Sequence, residues 1–401
     1  MKCLGALIQE LCPDGVEFVK LGEVCNRNKG ISITAAKMKE INKKGAPVRI
    51  FAAGNTKADV EYCDIERKAV ITSPSVIIKS RGNIGFEYYD EPFSHKAEMW
   101  SYSAKDSKKI DIKFLFYYLS SKTDKFQTRA KANAVKLPQL SIGDTDNYEI
   151  PLPPISIQAE IVRILDTFTS LEAELDTELD CRKRQYAYYR DTLLSFEGKE
   201  GVAWKKMSEV FDMRNGYTPS KAKAEYWEGG TIPWFRMEDI RENGRILSDS
   251  IQHITMEGVK KGKLFPANSF ILATTATIGE HALIIADSLA NQQFTNLAVC
   301  KSLSDKLLTK FVFYYMFVVD EWCRKNINVS GFASVDMKKF KILEFPIPSL
   351  EEQRRIVAIL DRFESLTTSL QSGLPAEIAA RRQQYAHYRD KLLTFRRKGA
   401  N

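Results

Sequence analysis

Glu149-Ile-Pro-Leu-Pro-Pro154 returns further along the chain as Glu344-Phe-Pro-Ile-Pro-Ser349, and the residues after each copy decide the fold. After the first come Gln158, Ile161-Val162, Ile164-Leu165-Asp166, Phe168 and Leu171. After the second come Gln353, Ile356-Val357, Ile359-Leu360-Asp361, Phe363 and Leu366, all displaced by 195 residues. The blocks also end alike: Gln185-Tyr-Ala-Tyr-Tyr-Arg-Asp-Thr-Leu-Leu-Ser-Phe196 matches Gln384-Tyr-Ala-His-Tyr-Arg-Asp-Lys-Leu-Leu-Thr-Phe395, displaced by 199. Self-similarity on this scale marks a duplicated architecture.

Both blocks carry the apolar stripe of a long helix. Ile161, Ile164, Phe168, Leu171 and Leu175 step by three and four, and Leu179, Tyr186 and Leu193 continue by sevens. The second copy runs Ile356, Ile359, Phe363, Leu366, Leu370, Leu374, Ile378, Tyr385 and Leu392. A single copy would read as an ordinary core helix; two matching copies point to packing on each other. The second block is four residues longer, about one helical turn. A stutter absorbs such an insert in a coiled coil, while Gly373 and Pro375 inside it offer a break or kink instead. The first block holds two tandem tetrapeptides, Glu172-Ala-Glu-Leu and Asp176-Thr-Glu-Leu.

A fainter repeat precedes each block. Gly15-Val16, Phe18, Lys20, Leu21, Glu23 and Val24 answer Gly201-Val202, Trp204, Lys206, Met207, Glu209 and Val210. Further on, Ile84-Gly85 answers Ile278-Gly279 and Phe114–Tyr118 answers Phe311–Tyr315. The expected plan is a first variable domain over 1–155, a helical spacer over 156–197, a second variable domain over 198–348 and a second spacer over 349–401. In class this is α+β: two globular mixed α/β domains separated by two long helices packed as an antiparallel coiled coil, with an internal pseudo-two-fold repeat. Leu7-Ile8 aligns with Leu193-Leu194, so the N-terminal residues are expected near the C-terminal helix.

The 401 residues, 44% of them apolar, suffice for two cores. Lys and Arg number 59 against 51 Asp and Glu, a net charge of +8 that suits a polyanionic partner. The seven cysteines, Cys3, Cys12, Cys25, Cys63, Cys181, Cys300 and Cys323, are scattered without metal spacing and read as reduced thiols. No run approaches a membrane span. The sequence therefore reads as cytoplasmic, with no membrane partner. Two related domains on one chain amount to a fused dimer, and duplex DNA is met by dimers whose half-sites lie roughly 34 Å apart. A helix from Gln158 to Leu194 would be about 55 Å long.

The E-x-P-x-P-x(4)-Q-x(2)-I-V-x-I-L-D-x-F block, the helix ending in K/R-x-Q-Y-x-x-Y-R-D-x-L-L-x-F and their duplication resemble the specificity (S) subunits of type I restriction-modification systems, the HsdS family, over essentially the whole chain. The resemblance implies two target-recognition domains, each reading half of a split site in double-stranded DNA. It also implies helices that set the unread spacer and dock two methyltransferase subunits, with restriction subunits joining that core. S-adenosylmethionine, ATP and Mg are then expected on the partner subunits only, with no cofactor and no metal on this chain.

The residues agree with a chain lacking its own catalytic centre. The only Pro pair, Pro153-Pro154, is not in an N/D-P-P-Y/F methyltransferase motif, and no G-x-x-x-x-G-K-S/T phosphate loop occurs. His95, His253, His281 and His387 are isolated in sequence, so no general acid or base is assembled. Readout of bases and phosphates calls for Arg, Lys, Asn, Gln and Thr on loops. In the first domain the candidates are Lys79, Arg81 and Asn83, then Lys131, Asn133, Lys136 and Gln139. In the second they are Arg214, Asn215, Tyr217, Arg236, Thr274, Thr275, Thr277, Asn291, Gln292 and Gln293. The bland alternative for each is a solvated turn. Tyr117-Tyr118 and Tyr314-Tyr315 sit in apolar helical runs and are expected in the core.

A non-enzymatic protein scaffold with duplicated docking helices is the alternative function, against which the basic, Asn- and Gln-rich loops weigh. In some members of the family, tetrapeptide repeats set spacer length. Deleting Asp176–Leu179 removes one turn, about 6 Å, and is expected to shorten the unread spacer by about one base pair. The methylated motif would show it, and an unchanged spacer would refute the ruler.

Overall fold

The structure, a computed structural model, describes residues 4–132, 134, 136–328, 333–368 and 373–399. The chain forms two compact units, one ending at Asp176 but regaining the chain from Glu377 onward, the other spanning Thr177–Ala376. The division thus falls inside the long helix Ile155–Leu193, whose 39 residues contribute to both units.

In the first unit, four antiparallel strands run in the order Cys25–Lys29, Trp100–Ala104, Ser75–Lys79, Gly85–Tyr89. The central strand reads Ser-Val-Ile-Ile-Lys, β-branched residues buried on both faces. A three-stranded sheet, Lys57–Val60, Val48–Phe51, Phe93–His95, lies in the same unit. The helix Ile112–Ser120 covers the main sheet, its N-terminus capped by Asp111, whose carboxylate accepts from the amides of Lys113 and Phe114. Tyr117 and Tyr118 are buried there, as are Tyr314 and Tyr315 in the second unit.

The second unit repeats the frame. Its sheet runs Phe211–Asn215, Phe294–Val299, Ser269–Ala273, His281–Ile284, Ile246–Leu247, and the helix Thr309–Lys325 takes the place of Ile112–Ser120. A three-stranded sheet, His253–Ile254, Ile232–Phe235, Leu289–Ala290, accompanies it.

The repeated Gln of each block proves to be a buried latch. The Gln158 side chain accepts from the Asp111 amide at 2.8 Å and donates to the carbonyls of Lys109 (2.8 Å) and Pro153 (2.7 Å). Gln353 makes the same three bonds to Leu308, Lys306 and Pro348, each 2.8 Å. The repeated Asp acts likewise. Asp166 accepts from the Tyr117 hydroxyl at 2.6 Å and pairs with Lys113 at 2.8 Å; Asp361 accepts from Tyr314 and pairs with Lys310 at 3.0 Å. Burial is the larger cause, and the hydrogen-bonded carboxylates the second, that pushes both phenols well above the ordinary tyrosine range.

Helix pairing is antiparallel and crosses the two copies. In the first unit Phe168 stacks on Tyr388 (5.5 Å between ring centres) and tilts against Tyr385, while Arg382 binds Glu172 (2.6 Å) and Asp176 (3.1 Å). In the second, Phe363 stacks on Tyr189 (5.3 Å) and tilts against Tyr186. Along the expected seams, Ile161 and Ile356 are fully buried; Ile164, Leu171, Leu175, Leu179 and Ile359 are half-buried. Leu366 departs from the expected seam at 37% exposed, close to where its helix stops; Leu370 lies outside the described residues.

The second block is two helices, Leu350–Thr368 and Leu374–Leu392, not one. Gly373 at φ 89° backs onto the first of them, where a Cβ would meet the Ser365 carbonyl at 2.6 Å. Pro375 falls in the opening turn of the next, where its missing N–H costs nothing. The four-residue insert is therefore met by a break and not by a stutter. The N-terminus does pack by the C-terminus. Val16 bridges Arg397, and Leu7 and Ile8 of the helix Leu4–Leu11 join the cluster that holds Leu393. No described helix is long and apolar enough to cross a membrane.

Gln158→Ala would leave the buried Pro153 carbonyl and the part-buried Asp111 amide and Lys109 carbonyl without their partner, a loss of about 2–3 kcal/mol. The urea midpoint of the first unit is expected to fall accordingly; an unmoved midpoint would contradict the latch.

Candidate nucleic-acid interface

The first unit brings two of the predicted polar clusters together. Beyond the strand Ser75–Lys79, the loop Ser80–Ile84 turns at Gly82 (φ 72°) and lies against Pro138–Leu140. Arg81 bridges Gln139, the Gly82 amide donates to the Pro138 carbonyl at 2.9 Å, and the Leu140 amide donates to the Ser80 carbonyl at 2.9 Å. Gln127 holds the loop from behind, accepting from the Ile84 amide (2.8 Å) and donating to the Gly82 carbonyl (3.1 Å). Its helix, Thr123–Ala132, is tied down in turn by Arg129 on Asp144 at 2.5 Å. Arg81, Asn83, Lys131, Lys136 and Gln139 are exposed. Among the described residues, Arg81, Lys131 and Lys136 have no ion pair. Lys79 is different, paired with Glu87 at 3.0 Å. Asn133 lies outside the described residues.

The second unit fixes its loop by a corresponding bond and bridge. The Val335 amide donates to the Thr274 carbonyl at 2.9 Å, the counterpart of Leu140 on Ser80, and Thr275 bridges Ser334 as Arg81 bridges Gln139. Thr275 and Thr277 are half-exposed on this loop; Thr274 is buried, its hydroxyl on the Thr295 hydroxyl at 3.1 Å. Thr295 also donates to the exposed Asn215 (3.1 Å). Beside them Gln292 accepts from Thr218 at 2.6 Å, and Asn291 accepts from the Gln293 amide at 3.0 Å. Asn215 and Asn291–Gln293 therefore lie around the buried Thr274, whose amide donates to the Gln293 carbonyl at 2.9 Å.

Three further candidates make contacts of their own. Arg214 donates to the Leu264 carbonyl at 2.5 Å and lies over Phe265. The Tyr217 hydroxyl accepts from the Lys260 amide at 2.6 Å and donates to the Gly258 carbonyl. Arg236 opens a helix, its amide donating to Asp239, with its guanidinium over Trp234. The Arg214 and Tyr217 side chains are thus engaged in holding the fold, while the buried Arg236 Nε has no hydrogen-bond partner among the described residues.

Sequence reasoning passed over Gln127, Thr218 and Thr295, single polar residues without a pattern. It also passed over a signal that was present. Gly30 and Gly216, displaced by the same 186 residues as the neighbouring repeat, let backbones meet: a Cβ would run into the Lys96 carbonyl oxygen at the first and that of Asn291 at the second.

The histidines are not isolated in space. His281 bonds Asp320 at 2.6 Å with both side chains closed to solvent, joining sheet to helix. Burial pushes the His95 imidazole down to about 4, so it is neutral against Ser101. His253 pairs with Asp249 at the surface, and His387 is exposed.

Comparison with known proteins places this duplicated frame. The family described as the type I restriction modification DNA specificity domain matches twice, over residues 13–180 and 199–380. The chain belongs to the specificity subunits of type I restriction-modification systems. It is 55% identical over 202 residues to the type I restriction enzyme EcoprrI specificity subunit of Escherichia coli, covering 49% of this chain and 50% of that one. To the EcoR124I/EcoR124II specificity subunit of the same organism it is 38% identical over 304 residues, 72% of each chain. The chain thus spans about half the length of the first relative in alignment and about 72% of the second. In fold it is similar to the crystal structure of the type I S subunit from M. genitalium, with a TM-score of 0.54 over 94% of this chain and 95% of that one at 13% identity.

Proposed function

We propose that this chain reads a split site in duplex DNA, one half with each compact unit, for methyltransferase subunits docked on its helices. The observation that carries the reading is the duplicated loop. Two sheets present loops fixed by the same backbone bonds, Leu140 to Ser80 and Val335 to Thr274, yet the loops carry different side chains. A common frame with unlike tips suits two half-sites of unlike sequence. In the first unit, Arg81 and Asn83 face the bases with Gln139, while Lys131 and Lys136 meet phosphates. In the second, Asn215, Thr275, Thr277 and Asn291–Gln293 do the reading by neutral hydrogen bonds.

Catalysis belongs to the partners in this account. Two methyltransferase subunits supply S-adenosylmethionine chemistry, restriction subunits supply ATP- and Mg-dependent steps, and this chain positions them. The closed His281–Asp320 pair supports that division, since neither group meets solvent.

The test uses the chain assembled with its methyltransferase subunit. Arg81→Ala is expected to weaken binding of the cognate duplex by about tenfold or more, the value of one good base contact. In the variant, changing the base pair that Arg81 reads should then cost nothing further, while changes in the other half-site keep their full cost. Equal sensitivity at both half-sites would contradict one reader per half.

A further inference from the structure

The two units share a small strand pair that is completed in one and left open in the other. In the first, Phe18 stands opposite Pro151 and Lys20 opposite Glu149; in the second, Trp204 stands opposite Pro346 and Lys206 opposite Glu344. The first pair is closed by a guanidinium. Arg397 lies 4.6 Å from the centre of the Phe18 ring and donates to both Glu149 oxygens, at 2.5 and 3.4 Å. The 199-residue displacement puts Gly198 in place of Arg397. There the chain turns back, the Lys199 amide on the Phe196 carbonyl, and its one cation, Lys199, lies over the Phe196 ring at 5.0 Å and not on Trp204 or Glu344.

Trp204 is left 39% exposed without a ring or cation partner among the described residues, and the Glu344 carboxylate has no partner among them either. Both line a cleft of about 1200 Å³ with Gly198, Tyr315, Trp322 and Ile342. Its cations are already satisfied: Arg190 by Asp191, Arg245 by Glu280 and Asp320, Arg324 and Lys325 by Glu321. Glu197 and Glu344 are the lining carboxylates left over among the described residues.

We propose that this cleft docks an arginine side chain from another polypeptide, supplying in trans the guanidinium that the first unit takes from its own Arg397. An indole is a better cation-binding face than the phenyl ring of Phe18, and a planar guanidinium both stacks and pairs with a carboxylate, as Arg397 does. The unpaired carboxylates give the occupant its sign.

The full-length chain is titrated calorimetrically with an amidated peptide of the sequence Leu393–Lys398, and with versions carrying citrulline or leucine in place of Arg397. The arginine peptide is expected to bind saturably and the citrulline peptide about tenfold more weakly. Glu344→Gln, an exposed change that should not disturb folding, is expected to weaken the arginine peptide about fivefold and leave the citrulline peptide unchanged; Trp204→Ala should abolish binding. No binding at millimolar peptide, or indifference to Glu344→Gln, would overturn the proposal. Equal binding of the leucine peptide would overturn it too, assigning the cleft to an apolar segment.

Discussion

Everything in the structure depends on an aromatic ring from one repeat block lying on the tyrosines of the other. Phe168 rests on Tyr385 and Tyr388, and Phe363 on Tyr186 and Tyr189. Each unit therefore needs both blocks, and the chain must return from residue 377 to finish the unit it began with. Offset ring pairs of this kind add about 0.5–1.5 kcal/mol beyond their burial. Their larger effect is on register, since the same two residue types meet in both units and leave little choice of alignment. The buried latches at Gln158 and Gln353 extend that order outward by bonding each helix start to the backbone ahead of its covering helix.

Much of this was legible from the repeat. Two long helical blocks, the antiparallel pairing, the buried tyrosines of the covering helices and the packing of the N-terminus by the C-terminus all follow from residues that recur at fixed displacement. The loops at Arg81 and Thr275 were found because Ile84-Gly85 and Ile278-Gly279 mark the same place in both copies. What was not legible is what polar residues do when buried. Gln158 and Asp166 stand on helices where a solvated face would be the default, and only tertiary placement turns them into latches. For the same reason the inward side-chain bonds of Arg214 and Tyr217, which are polar and near turns, could not be read from the sequence. The choice between stutter and break at the four-residue insert was open in sequence because either satisfies the seam; Gly373 at positive φ decides it.

The duplication also shows where the two units were free to differ. Latches and ring pairs match position for position, and the main sheets differ by the added strand Ile246–Leu247, while the loop tips do not match: Arg81 and Asn83 in one, threonines in the other, and Lys96-Ala97-Glu98 where the second has Asn291-Gln292-Gln293. A charged tip in one unit and a neutral tip in the other, held by a corresponding backbone bond and bridge, suits a reader of two unlike half-sites.

The most direct test of that account is the pattern of adenine methylation across the genome of cells expressing this chain with its methyltransferase subunit, against cells lacking it. The account predicts one new split motif, two unlike half-sites around a fixed unread spacer. No new motif from a complex shown to assemble would contradict it.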